Sequence, residues 1–418
     1  MNCRTSFNRR DFITTSLSAG LAGALTACGP DGKRVADESA LIQAANAPVL
    51  QLGSFSQPVI IESIEVLRSG KLHFVRTRSR DGAVGISVTN ERIAYLYPLL
   101  QQRVIPFFIG KDARDLESLL DGVYVSDSNY KMQGLAFWCC VAWVEFSILD
   151  LLGKISRQHV SELFGGKIRQ EIPIYVASSN RTTTPAEEVG ILRKRIAETG
   201  AKAVKFKVGG RMSRNKDSMP NRSEELIELT RKELGDGVTI QADANGSYDA
   251  KRAIEIGRRL EGINAYLFEE PCPFDEFEET KMVADVLTIP VSGGEQESSE
   301  YRFRWMISNS VLQIVQPDLH YYGGFIRATR VARMAAKAGL PITVHISGGD
   351  TGYAEMVNFC SFTPNIGRFQ ELKQGVEETG SLFEPAINVK NGSLNVPHAP
   401  GMGMLHADEL LKNARSLM

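Results

Sequence analysis

The sequence predicts an α/β protein: a parallel sheet closed into an eight-stranded barrel, preceded by a smaller α+β module. Two patterns lead there. From Glu171 onward, short apolar runs alternate with charged amphipathic segments of helix length, as when parallel strands are joined by crossover helices. Before Glu171, strand-like runs separated by turn signals give way to continuous helical periodicity. A third observation points to chemistry: the second to eighth barrel runs each end on an ionisable residue.

The chain opens with Asn8-Arg9-Arg10-Asp11-Phe12-Ile13, an arginine pair ahead of a Ser/Ala/Gly-rich run that closes on Leu25-Thr26-Ala27-Cys28. It resembles a twin-arginine export signal followed by a bacterial lipoprotein cleavage box. That resemblance implies a signal peptide over residues 1–27, membrane attachment only through a lipid on Cys28, and export as a periplasmic or membrane-anchored lipoprotein. The run is shorter and more polar than the roughly 20 apolar residues of a spanning helix. Residues 28–57, rich in Ala, Gly, Pro and Gln without a sustained period, read as a tether.

Residues 58–170 form the α+β module. Runs at 59–67, 72–78 and 84–88 are separated by Arg-Ser-Gly and Arg-Asp-Gly, the punctuation of an antiparallel meander. Helical patterns fill 92–161, including the apolar stretch 135–152 with Phe137, Trp138, Trp143 and Phe146. Cys139 and Cys140 lie in that stretch and Cys272 and Cys360 stand alone, so buried free thiols are expected rather than disulfides or a CxxC metal site.

Residues 171–375 hold the barrel runs 172–177, 203–208, 238–242, 265–268, 289–292, 311–315, 341–345 and 367–371. Intervening segments such as 187–199 and 223–234 carry apolar residues at helical spacing and stop at Gly200 and Gly235. An open doubly wound sheet is the alternative, but no Gly-x-Gly-x-x-Gly turn follows the first run. Residues 376–418 read as a C-terminal segment returning to the first module. With 48 Lys+Arg against 49 Asp+Glu, the chain has no excess positive charge to bind nucleic acid.

Active sites of such barrels form at the C-terminal strand ends. The second run, Ala-Val-Lys-Phe-Lys-Val-Gly-Gly, puts Lys205 and Lys207 on one face of a strand, and two like charges facing one space call for an anionic partner. A solvated edge strand is the alternative. The next runs end with Asp243, Glu269 and Glu295, each 26 residues from the last. Three carboxylates on neighbouring strands require a cation, and oxygen-only ligation suits a hard divalent ion, Mg²⁺ foremost. Asp318 and His345 end the sixth and seventh runs, where a carboxylate fixes an imidazole tautomer and raises its basicity. His320 competes for that pairing from just past the strand end. Glu371 ends the eighth run.

This set resembles the enolase superfamily, in its mandelate racemase-like subgroup, over essentially the whole mature chain. The resemblance implies a (β/α)7β modified TIM barrel under an N-terminal α+β capping domain whose loops close over the site, with residues near 107–110 as candidate cap contacts. It casts Lys207 as a base on one substrate face and Lys205 as its electrostatic helper. Asp243, Glu269 and Glu295 become magnesium ligands, Glu269 being preferred to Glu270, which should point away and pair with a basic residue. The Asp318–His345 dyad becomes the acid or base on the other face, and Glu371 an acid-like hydrogen-bond partner of the substrate carboxylate.

The implied chemistry is removal of a proton alpha to a carboxylate, with Lys207 acting as the free amine, a form its cationic neighbours favour. Dehydration of an acid sugar, an aldonate or aldarate, to a 2-keto-3-deoxy product is the leading outcome. Racemisation or epimerisation and cycloisomerisation are alternatives, as is a carbohydrate-acid-binding lipoprotein without catalysis. The small-molecule substrate is a carboxylate, and the resemblance implies a homo-oligomer. After the second run, residues 211–222 carry Arg211, Arg214, Lys216 and Arg222, either a solvated loop or a lid for a second anionic group.

Overall fold

The computed structural model describes residues 36–348, 352–373 and 379–417; the expected signal peptide and Cys28 lie outside them. Part of the expected tether is a helix. α1 (Glu38–Asn46) begins at Asp37, whose carboxylate accepts from the Ser39 N–H at 3.0 Å. Leu41 and Ala45, one turn apart, are buried where α1 packs on the barrel helix Phe325–Lys337. Beyond α1, the Val49 and Leu50 N–H groups donate to Glu117, and Arg333 donates to the Ala47 and Pro48 carbonyls. Two small anchors in an Ala/Gln-rich run are too weak a period to read, yet burying one Leu contributes about 1.5–3 kcal/mol.

The meander forms as expected: β1 (Ile61–Ser69), β2 (Leu72–Ser79) and β3 (Val84–Val88) pair antiparallel. Helices α2 (Ile93–Leu99), α3 (Ile105–Phe108), α4 (Leu116–Val125) and α5 (Leu135–Ser156) follow. α5 is long and apolar enough to cross a membrane, but it is buried inside the protein. It crosses the meander at Gly85, where a Cβ would stand 2.1 Å from the Ser147 carbonyl oxygen. Only glycine lets the two backbones meet there. Hydrogen bonds of 2.6 Å seal the contact, between the Thr77 and Ser147 hydroxyls and from Ser87 Oγ to the Trp143 carbonyl.

The barrel strands are β4 (Glu171–Ala177), β5 (Ala203–Lys207), β6 (Thr239–Asp243), β7 (Leu267–Glu269), β8 (Val291–Gly293), β9 (Ile314–Val315) and β10 (Gln370–Leu372). Each pairs parallel with the next from β4 to β9, and β10 pairs parallel with β4. The expected seventh strand, 341–345, is reduced to single bridges, Ile342 with Val315 and Ile366 and His345 with Asp318. Pro341 brings no N–H to a ladder. Those bridges nonetheless close the ring. Helices α6 (Pro185–Thr199), α7 (Arg222–Leu234), α8 (Ala250–Gly262), α9 (Phe277–Val286), α10 (Glu300–Ser308), α11 (Phe325–Lys337) and α12 (Gly352–Phe362) alternate with the strands. The order is (β/α)7β.

The C-terminal segment touches both parts. β11 (Val389–Lys390) and β12 (Ser393–Asn395) form a hairpin on the first residues of β4, and β13 (Arg415–Ser416) pairs antiparallel with β1.

Candidate active site

β5 lies between β4 and β6, so it is no solvated edge, and its alternation carries Lys205 and Lys207 inward while Val204, Phe206 and Val208 join the apolar core. The parallel register sets Lys207 opposite Asp243, and Asp243 opposite Glu269. Lys205 Nζ donates to both Glu269 oxygens at 2.8 and 2.7 Å and stands 3.1 Å from Glu371 Oε1. Lys207 Nζ donates to Asp243 Oδ2. Burial opposes charge on Lys205, but Glu269 and Glu371 outweigh it and hold the ammonium well above its usual pKa. Burial likewise opposes charge on Glu371, and Lys205 and Lys373 override it, holding the carboxylate well below its usual range. Beside Lys205 and Lys373, Glu371 is held as a carboxylate.

Across the rim, His345 Nδ1 lies 2.7 Å from Asp318 Oδ2, and its Nε2 is 3.2 Å from Glu295 Oε2. Burial resists protonation of His345, but Glu295 and Asp318 outweigh it and raise its pKa. Asp318 is fully buried and held by donors: its Oδ1 accepts from the His320 and Tyr321 N–H groups at 2.8 and 2.7 Å and from Ser347 Oγ at 2.8 Å. The competing His320 side chain turns elsewhere, its Nδ1 accepting from Trp143 Nε1 of α5 at 3.0 Å. With Nδ1–H on Asp318, Nε2 is the His345 nitrogen left to carry a second proton, a state that Glu295 and Asp318 favour.

Among the described residues, no three metal-ligating side chains converge on one point. Asp243, Glu269 and Glu295 instead face Lys207, Lys205 and His345. Glu270 does not point away to a basic partner. It is buried, its Oε2 accepts from Asn245 Nδ2 at 3.3 Å, and its Oε1 has no partner. Burial pushes Glu270 well above the carboxylate range, with Glu295, Asp243 and Glu269 adding to the shift. Burial also pushes Glu269 up to about 7 against the pull of Lys205. Crowded, buried carboxylates with an orphaned oxygen form a donor set that fits a hard divalent cation.

Some participants were not foreseen. Lys373, two residues past Glu371, places Nζ 3.0 Å from His345 Nε2 and 3.1 Å from Glu371 Oε2. Its signal was present, since Glu-Leu-Lys repeats the period-two logic of Lys-Phe-Lys. Gln316 Nε2 donates to Glu269 Oε2 at 3.0 Å, and Asn245 Nδ2 lies 3.3 Å from Asp243 Oδ2, contacts that only the folded strands define. Of residues 107–110, the Gly110 N–H bonds the Ile61 carbonyl and Phe108 is buried in the cap core. Asn90 and Trp143 supply the cap contacts, Asn90 Nδ2 lying 3.5 Å from Ser347 Oγ. Of the basic residues at 211–222, Arg222 is buried and donates to the Lys207 and Thr183 carbonyls, so it braces β5 and belongs to no lid. Arg211 is exposed and reaches Asn245 Oδ1 at 3.3 Å.

A sequence family described as enolase C-terminal domain-like matches residues 188–409. Arabinonate dehydratase of Saccharolobus solfataricus is 25% identical over 328 residues, covering 77% of this chain and 85% of the relative. L-talarate/galactarate dehydratase of Salmonella typhimurium is 26% identical over 339 residues, 79% of each chain. A solved structure of a candidate racemase from Roseobacter denitrificans superposes with a TM-score of 0.80 at 33% identity, over 85% of this chain and 98% of that one. A mandelate racemase/muconate lactonizing protein from Paracoccus denitrificans, solved with magnesium, shares the fold at 24% identity and TM-score 0.76, over 86% and 99% of the two chains.

Proposed function

The chain is an enzyme of the enolase superfamily, in its mandelate racemase-like division, and on that premise we propose that it removes the proton alpha to the carboxylate of an acid sugar and eliminates water. The observation that supports the reading is that one buried ionic cluster holds two proton-transfer groups, Lys207 on Asp243 and the Asp318-oriented His345, linked through Lys205, Glu371 and Lys373. Lys207, as the free amine, takes the C2 proton. Lys205 places its ammonium where negative charge develops on the carboxylate, and such a charge is worth more in a buried site than in water. His345 Nε2 gives a proton to the C3 hydroxyl as the C–O bond breaks, releasing water and leaving an enol that tautomerises to the 2-keto-3-deoxy acid. Asp318 accepts from Nδ1–H throughout and supports the imidazolium. Asp243, Glu269 and Glu295, with Glu270 close by, would hold Mg²⁺, which when bound supplies Lewis-acid stabilisation of the substrate oxygens.

Several relatives named for acid-sugar dehydration favour dehydration over the other outcomes. Epimerisation is the second reading, because groups on both faces permit reprotonation from either side. The test is a panel of mono- and diacid sugars with Mg²⁺ in deuterated water, read for keto-acid formation and for deuterium at C2. Keto acid from one of them is the expected result; deuterium uptake without keto acid would favour epimerisation, and neither would favour a binding protein. We further propose export through the Arg9-Arg10 leader and lipidation at Cys28, on the sequence alone. Metabolic lipid labelling that is unchanged by Cys28→Ser would refute it.

A further inference from the structure

The barrel ends on an ammonium group that the proposed roles leave unused. Lys373 follows β10 by one residue and shares a face with Glu371. Its Nζ donates to the Ile346 carbonyl at 2.6 Å and stands 3.1 Å from Glu371 Oε2 as an ion pair without a hydrogen bond. An ammonium has three protons, only one of which is committed to a carbonyl, and Nζ stands 3.0 Å from His345 Nε2. That nitrogen is the one left to act on substrate once Nδ1–H is committed to Asp318. Nζ and Nε2 therefore stand side by side. Lys373 is also the open member of the cluster, its side chain 38% exposed against 13% for His345 and 2% for Glu371.

Resting on the dehydration reading, we propose that Lys373 is a further catalytic residue: one of its uncommitted protons hydrogen-bonds the C3 hydroxyl oxygen that His345 protonates, and it stabilises that oxygen as it leaves. The Lys373 proton is not transferred. His345 supplies the proton that completes the water, and Lys373 keeps all three of its own while the C–O bond breaks. A purely structural lysine that neutralises Glu371 would affect every step alike. A lysine on the leaving oxygen affects elimination and spares proton abstraction on the Lys207 side.

The experiment uses the full-length protein with Mg²⁺ and an acid sugar that the wild type converts, in deuterated water. Deuterium at C2 of recovered substrate reports abstraction and return, and keto acid reports elimination. Lys373→Met is expected to lower elimination roughly 10–150-fold, the worth of one hydrogen bond to a charged group, while exchange stays within about fivefold. Lys373→Arg, which keeps a cationic donor, should recover much of the ratio. Thermal midpoints within a few degrees of wild type establish that both variants fold. An unchanged ratio of elimination to exchange in Lys373→Met overturns the role of Lys373 alone. A wild type that exchanges without eliminating overturns the dehydration reading and this role with it.

Discussion

Glu145 sits on α5 of the cap, fully buried, and its two oxygens accept from the Phe325 and Ile326 N–H groups at 2.7 and 2.8 Å. Those are the first residues of α11, so a cap side chain satisfies the N-terminus of a barrel helix, just past the loop that starts at Asp318. Glu145→Ala leaves two buried N–H groups without partners. At about 1–3 kcal/mol each, the loss is about 2–6 kcal/mol. Burial pushes Glu145 up from 4.5 to about 8, despite the two donors. The sign follows: between those values the unfolded chain sheds a proton that the folded protein keeps, so stability falls as pH rises through the window. The slope approaches about 1.4 kcal/mol per pH unit. Glu145→Gln lacks this titration and should gain on wild type steadily from pH 5 to 8. Urea unfolding followed by tryptophan fluorescence suits the test, since Trp138 and Trp143 lie on α5. A Gln-to-wild-type difference that stays flat with pH, or an Ala variant within 0.5 kcal/mol of wild type (an order-of-magnitude threshold of about one weak hydrogen bond), would refute the reasoning.

Other perturbations test other parts. Burial holds His159 down to about 3, with Lys167 adding to it, so below pH 6.5 the unfolded state gains a proton that the native state refuses. Wild type should lose about 1.4 kcal/mol more per pH unit between pH 6 and 4 than His159→Gln; parallel acid limbs in urea titrations would contradict this. Gly85→Val drives a side chain into the α5 backbone and should cost at least about 1–3 kcal/mol, seen as early proteolysis of the cap. Leu41→Asp should release α1, exposing residues 36–50 to amide exchange while the barrel strands stay protected; unchanged exchange there would mean α1 contributes little.

How far the sequence reaches depends on which interactions are local. Lys205, Lys207, Asp243 and Glu371 were legible because a strand's period of two and its C-terminal end together say which way a side chain faces, whereas Glu269 was set apart from Glu270 by the family resemblance. The Asp318–His345 pair was legible for the same reason, although the strand bearing His345 is only a set of bridges. Lys373 follows the same rule, two residues past the more conspicuous Glu371. Glu270 departs from the expectation because its backbone, at φ +41°, leaves the strand and its buried carboxylate meets Asn245. Nothing local signals that turn. Trp143 reaching His320, Asn90 reaching Ser347 and α1 docking on α11 join residues far apart in sequence, so they exist only once the cap and barrel have packed.

The central claim is that Lys207 and His345 work on opposite sides of one substrate. It is tested most directly by measuring C2 deuterium exchange and keto-acid formation in Lys207→Met and His345→Asn with the same acid sugar and Mg²⁺. If Lys207 is the base and His345 the acid, Lys207→Met abolishes both signals, whereas His345→Asn abolishes keto acid and retains exchange. Exchange that survives in Lys207→Met and vanishes in His345→Asn would contradict the assignment.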